Sequence, residues 1–407
     1  MNKIESLDVL LYNKHIATLT NLPGDKNVLH FQEDFINDAN RPVLSLSFID
    51  DDGDFITESK PTRTRLLPFF SNLLPEGYLR TYLASQASVN EEREFYLLDA
   101  LGEDLPGALK VVRSSNKGLS HPGGEFHDAE DDLKHSESTL HFSLAGVQLK
   151  FSAVQNTDGG LTIPAGGVGG DWIVKLPSAI YHQVPENEFS MMEMARLIGL
   201  NVPETALVPV ESITGLPQGI GKISQNAFII KRFDRTSEGR GIHMEDFAQV
   251  FGVYPEQKYR KASYRNIADV IMRELGAEGI IEFTRRFIFN VLIGNGDMHL
   301  KNWSLLYSDP RKASLAPAYD FVSTIPYLPE DQLALNFVDS KAFEALTYDE
   351  FERFSKKAHL PDSLVQDITR ETVVDFKRVW KDAGDYPLDS HVIDTINDHL
   401  KRLPFYK

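Results

Sequence analysis

Residues 279–302 read GIIEFTRRFIFNVLIGNGDMHLKN, and the fold is decided here. Apolar residues recur at helical spacing as far as Ile293, Gly294 supplies a stop, and a polar loop follows that holds Asp297 and Asn302. A carboxylate and a carboxamide so spaced on one loop suit phosphoryl transfer. The Asp would orient an attacking hydroxyl and accept its proton, while the Asn oxygen would help hold a metal that neutralises phosphates. Spacing alone describes an ordinary surface loop equally well. Downstream, Asp320-Phe321-Val322 follows the apolar run SLAPAY and offers a second metal carboxylate. The plain alternative is a strand-end Asp.

In protein kinases the Asp of D-F-G follows the catalytic loop and binds Mg, with its Phe in the core. Here Val322 stands where that Gly would be, which removes backbone freedom and argues against a flipping mechanism. Upstream, Lys175 sits in the strand-like run WIVKLP, where a buried ammonium needs an anion such as nucleotide phosphate. The alternative is a lysine snorkelling to solvent. Glu188 and Glu193 on the following amphipathic segment ENEFSMMEMARLIGL are both candidate partners for it. The turn Ala145-Gly146-Val147-Gln148, with Lys150 on the same hairpin, offers small residues whose N–H groups could approach phosphate oxygens. It is neither a Walker A nor a G-x-G-x-x-G sequence, and a plain hairpin satisfies it too. AFIIKRFDR reads as a strand leaving a small lobe, either to an adenine-binding hinge or simply with Arg232 and Arg235 in ion pairs. His299 is read as a phosphate contact or as a loop-ordering hydrogen-bonder.

Length and composition bound these readings. At 407 residues the chain is expected to form roughly two or three cores. It has 42% hydrophobic and 25% charged residues, as soluble globular proteins do. No cysteine is present, which closes disulfide, thiolate-metal and cysteine-nucleophile chemistry. The net charge of −17 argues against a surface that holds nucleic acid by itself. Neither a membrane-spanning run nor a signal peptide is read at MNKIESLD, so a cytoplasmic location is expected.

The expected fold class is α+β, with an N-terminal α+β subdomain over 1–112 and an acidic linker over 113–139. Residues 140–246 would form a kinase-like small lobe, and 247–407 a mainly helical large lobe. In the first subdomain, hairpin turns are expected at Asn13-Lys14 and at Asp52-Gly53.

Taken together, FFSNLLPEG, LLDALGEDLPGAL, SLAGVQLKFSA, NEF, FIIKRFDR, EDFAQVFG, IGNGDMHLKN and YDFVS resemble the signatures of the HipA family of bacterial toxin kinases. They occur in that family's order, from near the N-terminus to about residue 330. The resemblance implies a two-lobed protein-kinase-like fold and a Mg-ATP-dependent serine/threonine kinase. Asp297 would be its base, Asn302 and Asp320 its Mg2+ ligands, and Lys175, His299 and Lys150 would line the ATP phosphates. Lys231 and Phe233 would lie at the hinge; Lys231 departs from the acidic residue common there. Ser143 would be autophosphorylated, with Ala145, Gly146, Val147 and Gln148 as the phosphate loop. The implied target is an aminoacyl-tRNA synthetase, typically the glutamyl enzyme, whose phosphorylation inhibits translation and leads to persistence. The implied partner is a HipB-like helix-turn-helix antitoxin that mediates contact with operator DNA. Two alternatives remain: a kinase of the same fold with another protein substrate, and a non-catalytic scaffold for an antitoxin–DNA complex.

Overall fold

The computed structural model describes residues 5–114, 149–155, 161–163, 169–216 and 225–407. Residues 115–139 of the expected linker and the phosphate-loop positions Ser143, Ala145, Gly146, Val147 and Gln148 lie outside these described residues, whereas Arg113, expected to open the linker, ends a strand.

The N-terminal unit is an antiparallel sheet in the order 62–63, 26–31, 14–22, 5–11, 109–113. Alternation along Glu5–Leu11 puts Leu7, Val9 and Leu11 on the buried face, as a half-buried strand requires. That face packs on a cluster of Phe31, Phe35, Phe48, Phe69 and Phe70, whose rings meet mostly edge-on at 5–6 Å, for example Phe31 on Phe48 at 5.4 Å. The first turn sits one residue earlier than expected. Tyr12 and Asn13 are its two left-handed residues, and Lys14 already pairs with Leu11. Tyr12 is held there because its N–H donates to the Ala108 carbonyl and its hydroxyl to that of Tyr307. The turn at Asp52-Gly53 exists, but its flanks form a short 3-10 helix, Leu46–Phe48, and one bridge, Ile49 to Phe55, in place of a hairpin.

A second sheet runs in the order 213–214, 161–162, 150–155, 172–175, 226–231, 205–209. Helix Val184–Leu197 lies against it, burying Met191, Met192 and Met194 with Phe228 and Ile230. Helical residues Tyr264–Leu292, interrupted at Gly276, form the spine of the remaining unit and begin in a capping box of Ser263 and Asn266. A small sheet of 243–246, 304–309 and 312–315 and helices Tyr348–Lys357, Asp362–Trp380 and Ser390–Arg402 complete it. The fold is thus mixed α+β. Among the described residues no helix is long and apolar enough to cross a membrane.

The N-terminal unit is bolted to the rest by polar contacts. Asp104 takes Arg232 at 3.2 Å and Arg235 at 2.9 Å, and Asp234 accepts the Gly107 N–H at 2.8 Å. Buried Glu245 accepts from Ser45, the Leu46 N–H and Tyr307. Beside it His243, fully buried, contacts the Leu44 carbonyl through Nε2 at 2.7 Å. Burial pushes this imidazole down to about 4, so it folds neutral. An unfolded His takes its proton near 6.5, so as pH falls from about 6.5 to 4 the unfolded state gains a proton that the folded state refuses. Stability is then lost over that window. Denaturant titrations at pH 7 and pH 4 should show wild type losing about 3 kcal/mol more than His243→Gln; equal losses would refute the assignment.

Candidate active site

The site begins where the long helix stops. Gly294 takes a left-handed φ of 66°, and a Cβ there would come within 2.3 Å of Ile325. Asn295 then ties the loop together. Its Nδ2 donates to Asn290 Oδ1 at 2.7 Å and to the Asp320 carbonyl at 3.2 Å, while its Oδ1 accepts the Asp297 N–H at 2.9 Å. The backbone of Gly296 runs so close to Asp331 that a Cβ would lie 2.2 Å from its carboxyl carbon. Asn302 Nδ2 donates to the Asp297 carbonyl at 2.8 Å, so Asp297 and Asn302 close one short loop.

Half of the Asp297 side chain is exposed. Desolvation nevertheless pushes its carboxyl up to about 6, against a hydrogen bond donated by the Tyr259 hydroxyl. His299 Nε2 stands 3.9 Å from Asp297, and its ring meets Tyr259 edge-on with centroids 4.8 Å apart. Burial, together with the cation Lys258, pushes His299 down to about 3, so it is a neutral imidazole. It can hydrogen-bond a phosphate but brings no charge. Its Nδ1 is buried without a hydrogen-bond partner among the described residues.

Lys175 points from its strand between two carboxylates. It lies 2.5 Å from Glu188 Oε1 and also contacts Asp320 Oδ1. Burial opposes its charge, but Asp320 and Glu188 outweigh that and keep it protonated. Burial would likewise raise Asp320, yet Lys175 and Lys150 hold it far below the usual carboxylate range. Glu188 is driven up to about 7 by burial, against the pull of Lys175. The choice that the sequence left open is resolved: Glu188 faces Lys175, whereas Glu193 binds Arg196 and Thr205. Lys150 lies opposite Lys175 in the sheet register.

Asp320 has a left-handed φ of 57°, a conformation that Asp tolerates better than most residues. Phe321 is fully buried and packs on Phe289 with centroids 5.1 Å apart. The segment around it has no regular secondary structure, so Asp320 is not a strand-end residue. Lys231 ends its strand exposed, 3.4 Å from Glu204, and the Phe233 ring lies 5.7 Å from that of Tyr319. The plain reading of this stretch also holds, since Arg232 and Arg235 are ion-paired.

The site includes residues to which the sequence assigned no chemistry. Tyr259 touches Asp297, Asn295 braces the loop, and Glu76 of the N-terminal unit bridges Lys258 and Lys301 at 2.8 Å each. Glu76 lay in plain view inside FFSNLLPEG, but its partners are far along the chain.

Residues 142–380 match the family profile described as the HipA-like C-terminal domain, and residues 7–112 match the HipA N-terminal domain. The chain belongs to the HipA family. Y4dM of Sinorhizobium fredii is 50% identical to it over 416 residues, covering 100% of this chain and 99% of that protein. The serine/threonine-protein kinase toxin HipA of Shewanella oneidensis is 27% identical over 351 residues, 76% of this chain and 75% of that protein. Among solved structures, the Shewanella oneidensis HipA, HipB and operator DNA complex holds a chain that superposes with a TM-score of 0.72 at 22% identity. That match covers 98% of this chain and 96% of the other, and it supports the fold. The HipA match extends past residue 330, where the recognisable motifs end, into the helix Asp362–Trp380.

Proposed function

We propose that this chain is a Mg-ATP-dependent serine/threonine protein kinase of HipA type. The observation that carries the reading is the convergence of Lys175, Glu188 and Asp320, with the backbone of Asp320 tied through Asn295 to the loop that holds Asp297 and Asn302. Lys175, Lys150 and His299 would hold phosphate oxygens, and the backbone around Lys231 and Phe233 would take the adenine. Ala145, Gly146, Val147 and Gln148 would cover the phosphates.

Among the described residues no group of three or more His, Asp or Glu side chains is arranged to hold a metal. Mg2+ needs fewer, because it is commonly bound by one or two carboxylates and completed by phosphates and water. Asp320, kept ionised, and Asn302, whose amide nitrogen is turned to the loop, fit that donor set. Bound there, the ion would neutralise phosphate charge. Asp297 would orient the acceptor hydroxyl and take its proton as the hydroxyl oxygen bonds to the γ-phosphorus and the bond to ADP breaks. A carboxyl raised by desolvation is a better base for that step than an ordinary exposed one.

Family membership supports the finer reading. It points to an aminoacyl-tRNA synthetase, the glutamyl enzyme first, as the cytoplasmic target whose phosphorylation would slow translation and favour persistence. It also points to autophosphorylation of Ser143 and to a HipB-like antitoxin that carries the chain to operator DNA. The Shewanella oneidensis assembly of HipA, HipB and DNA supports that partnership. A kinase with another acceptor shares every group in this cleft.

Two measurements decide. Mg-ATP at a hundredfold above its dissociation constant should stabilise the chain by about 2.7 kcal/mol; a non-catalytic scaffold would show no shift. Phosphosite mapping of bacterial lysate incubated with the chain and ATP should then identify the acceptor. A synthetase site supports the toxin reading, and transfer only to other proteins removes it.

A further inference from the structure

Asn72–Glu76 of the N-terminal unit reaches the loop that carries the proposed base. Glu76 gives one carboxylate oxygen to Lys258 and the other to Lys301, each at 2.8 Å. Lys301 also donates to the Asn72 carbonyl at 2.9 Å, and Asn72 Nδ2 donates to the Val253 carbonyl at 2.7 Å. All three charged side chains are largely enclosed, the lysines at 19% and 15% exposure and Glu76 at 35%. Burial would raise Glu76, but Lys301 and Lys258 hold it down to about 2, so its carboxylate is ionised at neutral pH.

The two lysines occupy telling positions. Lys301 immediately precedes Asn302, and Lys258 immediately precedes Tyr259, whose hydroxyl donates to Asp297. We infer that Glu76 is a positioning residue of the transfer site: by bridging Lys258 and Lys301 it locks the Tyr259 segment against the catalytic loop and so fixes Asp297. This inference rests on the kinase reading above. Two ammonium groups brought this close repel each other unless an anion lies between them. With Glu76 neutral, the two segments lose their common anchor, and Lys258, which already acts electrostatically on Asp297, is left beside the proposed base. Pairing there would occupy the carboxylate that must receive the acceptor proton. Tyr259 is the second link, since its hydroxyl holds one oxygen of Asp297 while its ring packs on His299.

The test uses the full chain as wild type, Glu76→Gln, Glu76→Asp and Tyr259→Phe, with myelin basic protein as a generic acceptor. Mg-ATP affinity is measured by calorimetry, and hydrogen exchange is followed without nucleotide. Glu76→Gln should lower kcat about a hundredfold, the scale of loss when a reacting group is slightly misplaced. Its Mg-ATP affinity should stay within about threefold of wild type. Exchange should accelerate around residues 256–262 and 295–302, and Glu76→Asp should recover most of the rate. Unchanged kcat and exchange, or parallel losses of affinity, melting temperature and rate without recovery in Glu76→Asp, would overturn the role. Tyr259→Phe should also lower kcat; a rise would mean that the phenol competes with the acceptor for Asp297, and would overturn its positioning role. If wild type transfers nothing, the kinase reading fails, while the exchange data still decide whether Glu76 fixes the loop.

Discussion

Asp297→Asn should transfer phosphate about a thousandfold more slowly than wild type while binding Mg-ATP nearly as well. The carboxamide keeps the shape of the side chain, and its oxygen can still accept the Tyr259 hydroxyl, so the loop keeps its geometry. What it loses is the ability to take a proton from the acceptor. Lys175, Glu188 and Asp320 stand on other segments and are untouched by the change. Calorimetry with Mg-ATP and a γ-phosphate transfer assay separate the two properties. Transfer within tenfold of wild type would remove Asp297 from its role.

The second large effect is expected at Asp320. Asp320→Ala should weaken Mg-ATP binding by at least about a hundredfold, because it removes the carboxylate proposed to hold the metal, which Lys175 and Lys150 keep ionised. Two further changes accompany it: Lys175 keeps only Glu188, and an alanine must adopt a φ of 57°, which costs about 1 kcal/mol. Asp320→Asn separates these effects, since Asn accepts the left-handed conformation but carries no charge. Mg-ATP affinity equal to wild type in Asp320→Asn would refute the metal assignment, whatever the alanine variant does. Both variants should stay folded, because the backbone of residue 320 remains tied to Asn295.

The readable parts of this chain were those in which sequence neighbours do the work. NGDMHLKN closes on itself through Asn295, Asp297 and Asn302, and its helix stop, its spacing and its polarity are all local. WIVKLP likewise announced a charged group among apolar neighbours. Its partner could not be chosen by reading. Glu188 and Glu193 share one helix, and only the packing of that helix on the sheet turns Glu188 inward and leaves Glu193 to Arg196. The hairpin expected at Asp52-Gly53 failed for a related reason. Its alternating pattern is real, but Ser45 and Leu46 are drawn to Glu245, 200 and 199 residues away, and the strand gives way to a 3-10 turn. Tyr12 shifted its turn by one residue to reach Tyr307. The most distant pairing hid the most: FFSNLLPEG reads as a motif, but nothing local says that its glutamate ends on two lysines beside the proposed base.

That bridge also sets an order in time. Glu76 leaves the ribosome long before Lys258, which follows 182 residues later, and Lys301 comes later still. The N-terminal sheet has all its strands by residue 113 and must then wait with an unpaired glutamate while the whole small lobe is synthesised. A nascent chain interrupted before residue 301 has neither the bridge nor Asn302, and one interrupted before residue 320 lacks the acidic group opposite Lys175. Only a chain carried through that point can assemble the cleft, so prematurely terminated copies should be inert.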